Sequence, residues 1–161
     1  MALFKKIDIP LVWLTLFLVL GLLARNLGPD FFGPDFFGSD FLGLSPWLIW
    51  VGSALLLMSV VIILYSSHWF RKQSTGIMPN SIPRKLIIQG PYVFSRNPIY
   101  LAMALGLLAL LLILSSVLSL LCVPVFMWVI KKRFILWEER TLVETFGIEA
   151  EHYLANTRRW L

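Results

Sequence analysis

Long apolar runs separated by short polar segments dominate the chain, at residues 10–24, 46–66 and 98–130. Trp47 and Trp50 begin the second run and Tyr65 ends it, an aromatic pattern typical of the two interfaces of a membrane span. A helix needs about 17 to 25 apolar residues to cross a bilayer, so the second run predicts one span. The first run predicts a shorter span, which we expect to stay uncleaved because no small-residue cleavage site follows it.

The third run is too long for a single span. As a helix, residues 98–130 would measure about 50 Å against a hydrocarbon thickness of about 30 Å. A turn near Ser115 and Ser116 would make two spans of it, and the last helix would continue past Lys131 through residues 134–137. We therefore predict an all-α integral membrane protein with four transmembrane helices, the last two spans a helical hairpin, and a kink at Pro124.

The positions of the charged residues support this topology. The formal charge is +5, and only 14% of residues are charged against 58% hydrophobic, whereas soluble proteins have about 25% charged residues. Acidic residues lie between the first two runs, while Lys and Arg lie before the first run and between the second and third. Because Lys and Arg gather in cytoplasmic loops, both termini are predicted to be cytoplasmic, and the basic charge calls for no nucleic-acid partner. We predict a single, multi-pass membrane domain over residues 1–161.

The predicted outer loop repeats a five-residue unit, GPDFF, GPDFF and GSDFL, over residues 28–42. Its three aspartates match no calcium-loop spacing, and Gly-Pro turns alternating with phenylalanine pairs favour a compact segment on the lipid headgroups. His68 and His152 have no Cys or acidic cluster around them, and Cys122 lies inside an apolar run. We predict no metal site.

The stretch GPYVFSRNPIY, residues 90–100, stands directly before the third run. Asn97 is a favoured N-cap and Pro98 a favoured first helical residue, so the third span is predicted to begin here with free backbone N–H groups at the cytoplasmic interface. Such a helix end attracts anions, and Arg96 adds a positive charge. A capped span with an interfacial arginine and two belt tyrosines, Tyr92 and Tyr100, explains this stretch equally well.

Glu138 and Glu139 follow the predicted fourth span without a basic residue three or four positions away on their own helix. Unpaired carboxylates beside a bilayer are costly, so we expect functional roles and partners from elsewhere in the fold. The hairpin would bring them to the side of Asn97, forming a pocket for a ligand that carries a carboxylate, an ammonium group or hydroxyls, where a soft cation could stack on an aromatic ring. S-adenosylmethionine has all of these groups, but the residues alone do not single it out, because a zwitterionic lipid headgroup satisfies much the same requirements.

GPYVFSRNPIYL, the hydrophobic hairpin, EERTLVETFG and RRWL together resemble the isoprenylcysteine carboxyl methyltransferase and phospholipid methyltransferase group of membrane enzymes. The resemblance covers residues 82–161, a methyltransferase-like core, whereas residues 1–70, with two spans and the outer repeat, carry no signature. It implies S-adenosylmethionine as cofactor, held at the cytoplasmic interface without a Rossmann domain. The cofactor contacts that it implies are Leu86, Ile87, Tyr92, Arg96, Asn97, Pro98, Ile99, Tyr100 and Glu138.

Glu139 and Arg133 are the candidate catalytic residues. Glu139 belongs to the same motifs without a defined role in them, and we expect it, or a tyrosine, to take the proton of an amine acceptor. The eukaryotic enzymes have His where this chain has Asn97, and many bacterial relatives have the Arg-Asn-Pro form found here. The resemblance therefore implies a location in the bacterial inner (cytoplasmic) membrane. The prenylcysteine enzymes hold the substrate carboxylate with an arginine at the position of Phe134, and Arg133 lies about 100° around the helix from it.

The leading prediction is an integral membrane methyltransferase that acts on a lipid-like or small hydrophobic acceptor, a carboxylate, an amine or a thiol, entering from the bilayer. A short amphipathic C-terminal helix with Tyr153 and Leu154 would cover the pocket. The alternative is a non-catalytic membrane protein that binds anionic lipid headgroups or a protein partner; a small transporter fits less well because the spans carry few polar groups. The oligomeric state cannot be inferred.

Overall fold

The computed structural model of the chain describes residues 9–32, 45–73, 85–114 and 118–161, and these residues are helical or irregular without a strand. The all-α prediction is confirmed for these ranges. In chain order the elements are α1 (Pro10–Phe32), α2 (Ser45–Lys72), a 3-10 turn (Gly90–Val93), α3 (Pro98–Ile113), a 3-10 turn (Leu118–Leu121), α4 (Cys122–Ile130), a π-helical segment (Lys131–Ile135), α5 (Leu136–Phe146) and α6 (Ile148–Asn156).

One helical stretch in the described ranges, Trp47–Lys72 of α2, is long and apolar enough to cross a bilayer. Pro10–Ala24 and Pro98–Ile113 are shorter apolar helices. The predicted number of four spans and the cytoplasmic placement of the termini stay predictions. The turn predicted near residues 115–116 lies outside the described residues.

Helix α1 differs from its predicted boundaries. The backbone of α1 continues past Ala24 to Phe32 and includes the first GPDFF copy, where a loop was predicted. Pro29 removes only one helical hydrogen bond, so a helix can pass through it with a local distortion. Pro124 lies in the first turn of α4, directly after the 3-10 turn, where the loss of a backbone N–H costs little, and the predicted kink there stays a prediction. Residues 33–42 of the repeat lie outside the described residues.

The chain divides into two compact units, one of Met1–Ser59 with Met103–Trp128 and the other of Val60–Ala102 with Val129–Leu161. Each unit combines segments that are distant in sequence. The predicted single-domain organisation stays a prediction.

Aromatic packing and close backbone approach characterise the first unit. The rings of Phe17 and Phe126 meet edge to face with centroids 5.7 Å apart, and Ser119 Oγ donates to the Gly21 carbonyl at 2.6 Å. A Cβ atom on Gly52 of α2 would lie 2.8 Å from a backbone carbonyl oxygen of α3. The small residue at this position therefore permits a backbone-to-backbone helix contact, as is common between membrane helices.

The second unit contains all the predicted site residues. Its core includes Phe134 and Ile135, which are almost fully buried in the π-helical segment that joins α4 to α5. We predicted a continuous α-helix here, so the π-helical turn is a correction. The wider turn changes the angular positions of the residues that follow it, so Glu138 and Glu139 cannot be placed from α-helical spacing counted across this segment.

Candidate functional site

The start of α3 is built by a short irregular loop after the Gly90–Val93 turn. The Asn97 N–H donates to Ser95 Oγ at 3.2 Å, and the Asn97 carbonyl accepts from Leu101 N at 2.9 Å. Helix α3 therefore begins at Pro98, as predicted, with Asn97 at the N-cap position. Asn97 Nδ2 donates to the Arg159 carbonyl at 3.0 Å, so this side-chain amide joins the loop to the end of the described chain.

Glu138 of α5 lies against the first turn of α3. The Tyr100 hydroxyl donates to Glu138 Oε1 at 2.6 Å, and Tyr100 also packs against the buried Phe134 ring with centroids 6.3 Å apart. Tyr92 is close enough to interact electrostatically with both Glu138 and Tyr100. Two segments separated by 38 residues in sequence thus meet in one polar cluster inside the second unit.

Glu139, the next residue, points to a different set of partners. Arg96 Nη1 donates to Glu139 Oε1 at 3.0 Å, and Arg159 donates to both carboxylate oxygens at 2.8 and 2.6 Å. The prediction that these two glutamates find their partners outside their own helix is confirmed. The two carboxylates lie in different environments, because neighbouring residues of a helix point about 100° apart around its axis.

These environments shift the pKa values of the two carboxyl groups in opposite directions. Burial raises the pKa of Glu138, and the neighbouring Glu139 charge adds to this, while the hydrogen bond from Tyr100 partly opposes it. Burial also acts to raise the pKa of Glu139, but Arg159 and Arg96 outweigh it and hold that pKa below its usual value. Glu139 is therefore a stable anion and a weak proton acceptor. A cationic ligand would stabilise the ionised form of Glu138, whose charge burial disfavours.

The two tyrosines nearest this cluster outside α3 are buried. Burial raises the pKa of Tyr92 well above its usual value and that of Tyr153 to about 12. The Tyr153 hydroxyl donates to the Tyr92 carbonyl at 2.9 Å, and the Tyr92 ring meets Phe70 edge to face. Both phenols stay protonated at neutral pH, so they act here as hydrogen-bonding and packing groups.

The predicted site residues fall into two groups. Tyr92, Arg96, Asn97, Tyr100, Glu138 and Glu139 belong to the connected arrangement described above. Ile87 and Pro98 are buried, Leu86 and Ile99 are half-buried, and Arg133 is exposed on the π-helical segment. The cofactor and catalytic roles of these residues stay predictions.

Sequence reasoning missed Arg159 and the carbonyls of Leu154 and Thr157, which accept hydrogen bonds from Arg96. Arg159 belongs to the RRWL motif, but no role followed from the motif. Helical spacing from Glu139 gives no indication either, because α5 ends between the two residues. The unpaired glutamate was the available signal, since its partner had to be a basic residue from another segment.

A groove lies on the face of α5 that carries Glu139. Its lining is largely apolar and consists of Leu136, Glu139, Arg140, Val143, Glu144 and Leu154. Within the described residues, no three His, Cys, Asp or Glu side chains are placed to bind a metal ion.

Replacing Glu139 with glutamine should destabilise the protein at pH 7 by about 1 to 2 kcal/mol, because charge-assisted hydrogen bonds to a partly exposed pair are lost. A carboxyl group whose pKa is lowered on folding stabilises the folded state above its unfolded pKa and loses this contribution as the pH falls through the folded value. The difference should therefore shrink below about pH 4. Thermal unfolding in detergent from pH 7 to pH 3 measures it, with the exposed Glu151→Gln as control. A difference that is constant with pH would contradict the assignment.

One comparison with known families gives a match. The model of a family described as phospholipid methyltransferase matches residues 42–149, about two thirds of the chain. The matched range runs from the start of α2 into α6, and it includes Arg96, Asn97, Tyr100 and both glutamates but not Arg159. Comparisons with curated proteins and with solved structures give no match.

Proposed function

The chain belongs to the phospholipid methyltransferase family, and on this premise we propose that it is an integral membrane methyltransferase that uses S-adenosylmethionine. Its acceptor is a lipid-like or small hydrophobic molecule with a carboxylate, amine or thiol, methylated at the cytoplasmic interface of the membrane. The family match, the apolar helix Trp47–Lys72 and the polar cluster at the start of α3 support the proposal.

The observation that carries the proposal is the contact between Tyr100 and Glu138 at 2.6 Å. It brings the first turn of one apolar helix beside an acidic residue of another. A ligand that touches both must offer hydrogen-bond acceptors or a carboxylate to the helix start and a cation to the glutamate. The amino-acid portion of S-adenosylmethionine carries both groups.

The residues present fit this cofactor. Glu138 would pair with its ammonium group, and the N–H groups of Ile99 and Tyr100, which have no intrahelical acceptor at a helix start, would bind its carboxylate. Tyr92 and Tyr100 supply aromatic faces for positive charge. Leu86, Ile87 and Pro98 supply apolar surface for the remainder. When bound, the cofactor supplies an electrophilic methyl group on a positively charged sulfur.

Orientation and exclusion of water are the main contributions that we assign to the chain. Holding two reactants in line contributes up to about 7 to 11 kcal/mol. A carboxylate or thiolate acceptor needs no base, and an amine acceptor must arrive neutral, because the lowered pKa of Glu139 makes it a poor proton acceptor. Phe134 stands where the prenylcysteine enzymes have the arginine that binds the substrate carboxylate. It is apolar and buried against Tyr100, so it provides no positive charge for the acceptor. This favours acceptors recognised by their apolar part, entering from the lipid.

The experiment that tests the proposed function uses purified protein, methyl-labelled S-adenosylmethionine and a lipid extract as acceptor. We expect label in the lipid fraction with wild-type protein and none with Glu138→Ala. A label that base releases identifies a carboxyl ester, and a stable one identifies an amine or thioether. Binding to anionic vesicles without saturable cofactor binding would overturn the proposal in favour of a non-catalytic protein that binds headgroups.

A further inference from the structure

The segment that follows α6, residues 157–161, is fastened to the loop before α3, and we call it the strap. Arg96 N donates to the Arg158 carbonyl at 2.9 Å, and Asn97 Nδ2 donates to the Arg159 carbonyl at 3.0 Å. The strap therefore supplies acceptors for two consecutive residues directly before α3. Because these residues set where α3 begins, the strap and the helix start are fixed together.

The Arg96 side chain adds a second connection from the same loop. Its Nε donates to the Thr157 carbonyl at 2.5 Å, its Nη2 donates to the Leu154 carbonyl, and its Nη1 donates to Glu139 at 3.0 Å. All three guanidinium nitrogens are thus engaged by acceptors of the protein itself. The positive charge of Arg96 is used inside the fold, and its geometry is that of a structural connection between three segments.

Glu139 is the point at which two of these connections converge. Its Oε1 accepts from Arg96 and from Arg159 Nε, and its Oε2 accepts from Arg159 Nη2, so Arg159 binds the carboxylate with two parallel hydrogen bonds. The Glu139 side chain is only 14% exposed, against 31% for Arg159. Both carboxylate oxygens are occupied, which leaves this residue badly placed to accept a proton from a substrate.

Two of these three charged residues, Arg96 and Glu139, adjoin predicted cofactor contacts. Arg96 was itself predicted to be such a contact, and its guanidinium binds acceptors of the protein. Arg96 precedes Asn97 in the loop, and Glu139 follows Glu138 on α5. A connection between Arg96 and Glu139 therefore sets the distance between the start of α3 and α5, which is the distance that the Tyr100–Glu138 contact requires.

We propose that Arg159 is a positioning residue of this site, acting with Arg96 and Glu139 as a clamp that holds the start of α3 in register with α5. The inference rests on the proposed function for its ligand, S-adenosylmethionine. The clamp residues do not touch the reacting atoms. Glu139, which the sequence placed among the catalytic residues, acts in this account through the position of Glu138.

The test compares two adjacent arginines of the strap. Arg159→Met removes the bidentate pair, whereas Arg158→Met removes an equal charge from an exposed side chain and keeps the backbone carbonyl that Arg96 uses. We expect Arg159→Met to raise the Kd and the KM for S-adenosylmethionine about tenfold, with kcat at saturating cofactor within about twofold of wild type. Arg159→Lys should recover only part of the loss, because lysine lacks the planar fork. Arg158→Met should bind as wild type does.

Two further measurements separate positioning from other roles. Without cofactor, hydrogen exchange of the backbone amides of residues 95–101 should be faster in Arg159→Met than in Arg158→Met.

Glu139→Gln should raise the KM for the cofactor and leave kcat at saturation nearly unchanged. A loss of kcat at unchanged KM would make Glu139 a catalytic base and overturn the clamp. Equal exchange and equal cofactor affinity in the two arginine variants would also overturn it. Failure of wild-type protein to bind the cofactor would instead overturn the proposed function, and the exchange comparison would still decide the clamp.

Discussion

Replacing Glu138 with alanine is expected to weaken the binding of S-adenosylmethionine by about 30-fold or more. Glu138 is the carboxylate that faces the start of α3, and the hydrogen bond it accepts in the described part of the chain comes from the uncharged Tyr100 hydroxyl. Burial, together with the neighbouring Glu139 charge, raises its pKa, so a cationic ligand would stabilise its ionised form. Truncating one side of a buried, hydrogen-bonded charge pair costs about 2 to 5 kcal/mol, and each 1.4 kcal/mol is a factor of about ten in affinity. Equilibrium binding of labelled cofactor to detergent-purified protein measures the effect.

Glu138→Gln separates the loss of binding from a loss of folding. A carboxyl group with a raised pKa destabilises the folded state when it is ionised, so the neutral amide should leave the melting temperature at pH 7 equal to or above that of wild type. Glu151→Ala on α6 removes an exposed acidic side chain and should leave affinity unchanged. Wild-type affinity in Glu138→Gln, or an equal loss in Glu151→Ala, would contradict the role of Glu138.

Gly90→Ala is expected to destabilise the second unit by about 2 to 5 kcal/mol and to weaken cofactor binding with it. Gly90 has a φ of 63°, where a side chain costs about 1 to 2 kcal/mol, and a new Cβ atom would overlap the Trp69 indole. Overpacking of this kind adds about 1 to 3 kcal/mol. Because Gly90 begins the turn that carries Tyr92, the turn has to move. Chemical unfolding followed by tryptophan fluorescence measures the loss of stability.

Gly147→Ala is a second glycine substitution without overlap. Gly147 has a φ of 55° and a ψ of −129°, a region essentially restricted to glycine, and a Cβ atom there would meet nothing within 4 Å. Its substitution should show a conformational cost alone. The overlap is tested by introducing Gly90→Ala into Trp69→Ala, where it should cost less than in wild type. If Gly90→Ala cost as much in both backgrounds, the close approach of Trp69 to the turn would be refuted.

Local signals predicted the parts of the fold that local chemistry determines. Asn97-Pro98 gave the first residue of α3, because a cap followed by proline fixes a helix start without tertiary information. The two glutamates without helical partners indicated that their partners lie elsewhere in the fold, because a buried carboxylate needs a hydrogen-bond donor or a positive charge beside it. These signals named no particular partner, and the ion pair of Glu139 with Arg96 is known only from the structure.

Other features depend on packing that no local pattern reports. The π-helical segment Lys131–Ile135 has the composition of an ordinary helix end, so nothing in it indicated the wider turn in which Phe134 and Ile135 are almost fully buried. The continuation of α1 through Pro29 runs against the turn signal of Gly-Pro. Both α5 and α6 end between Glu139 and Arg159. The two hydrogen bonds from Arg159 to that carboxylate therefore depend on where the tertiary structure places the strap.

The central claim is that the start of α3 and Glu138 bind one small molecule together. A structure of the detergent-purified protein with S-adenosylhomocysteine, the demethylated cofactor, tests this most directly. The account predicts its ammonium group within hydrogen-bond distance of Glu138 and its carboxylate at the backbone N–H groups of Ile99 and Tyr100. A ligand bound elsewhere, or one that contacts Glu138 without reaching the start of α3, would contradict it.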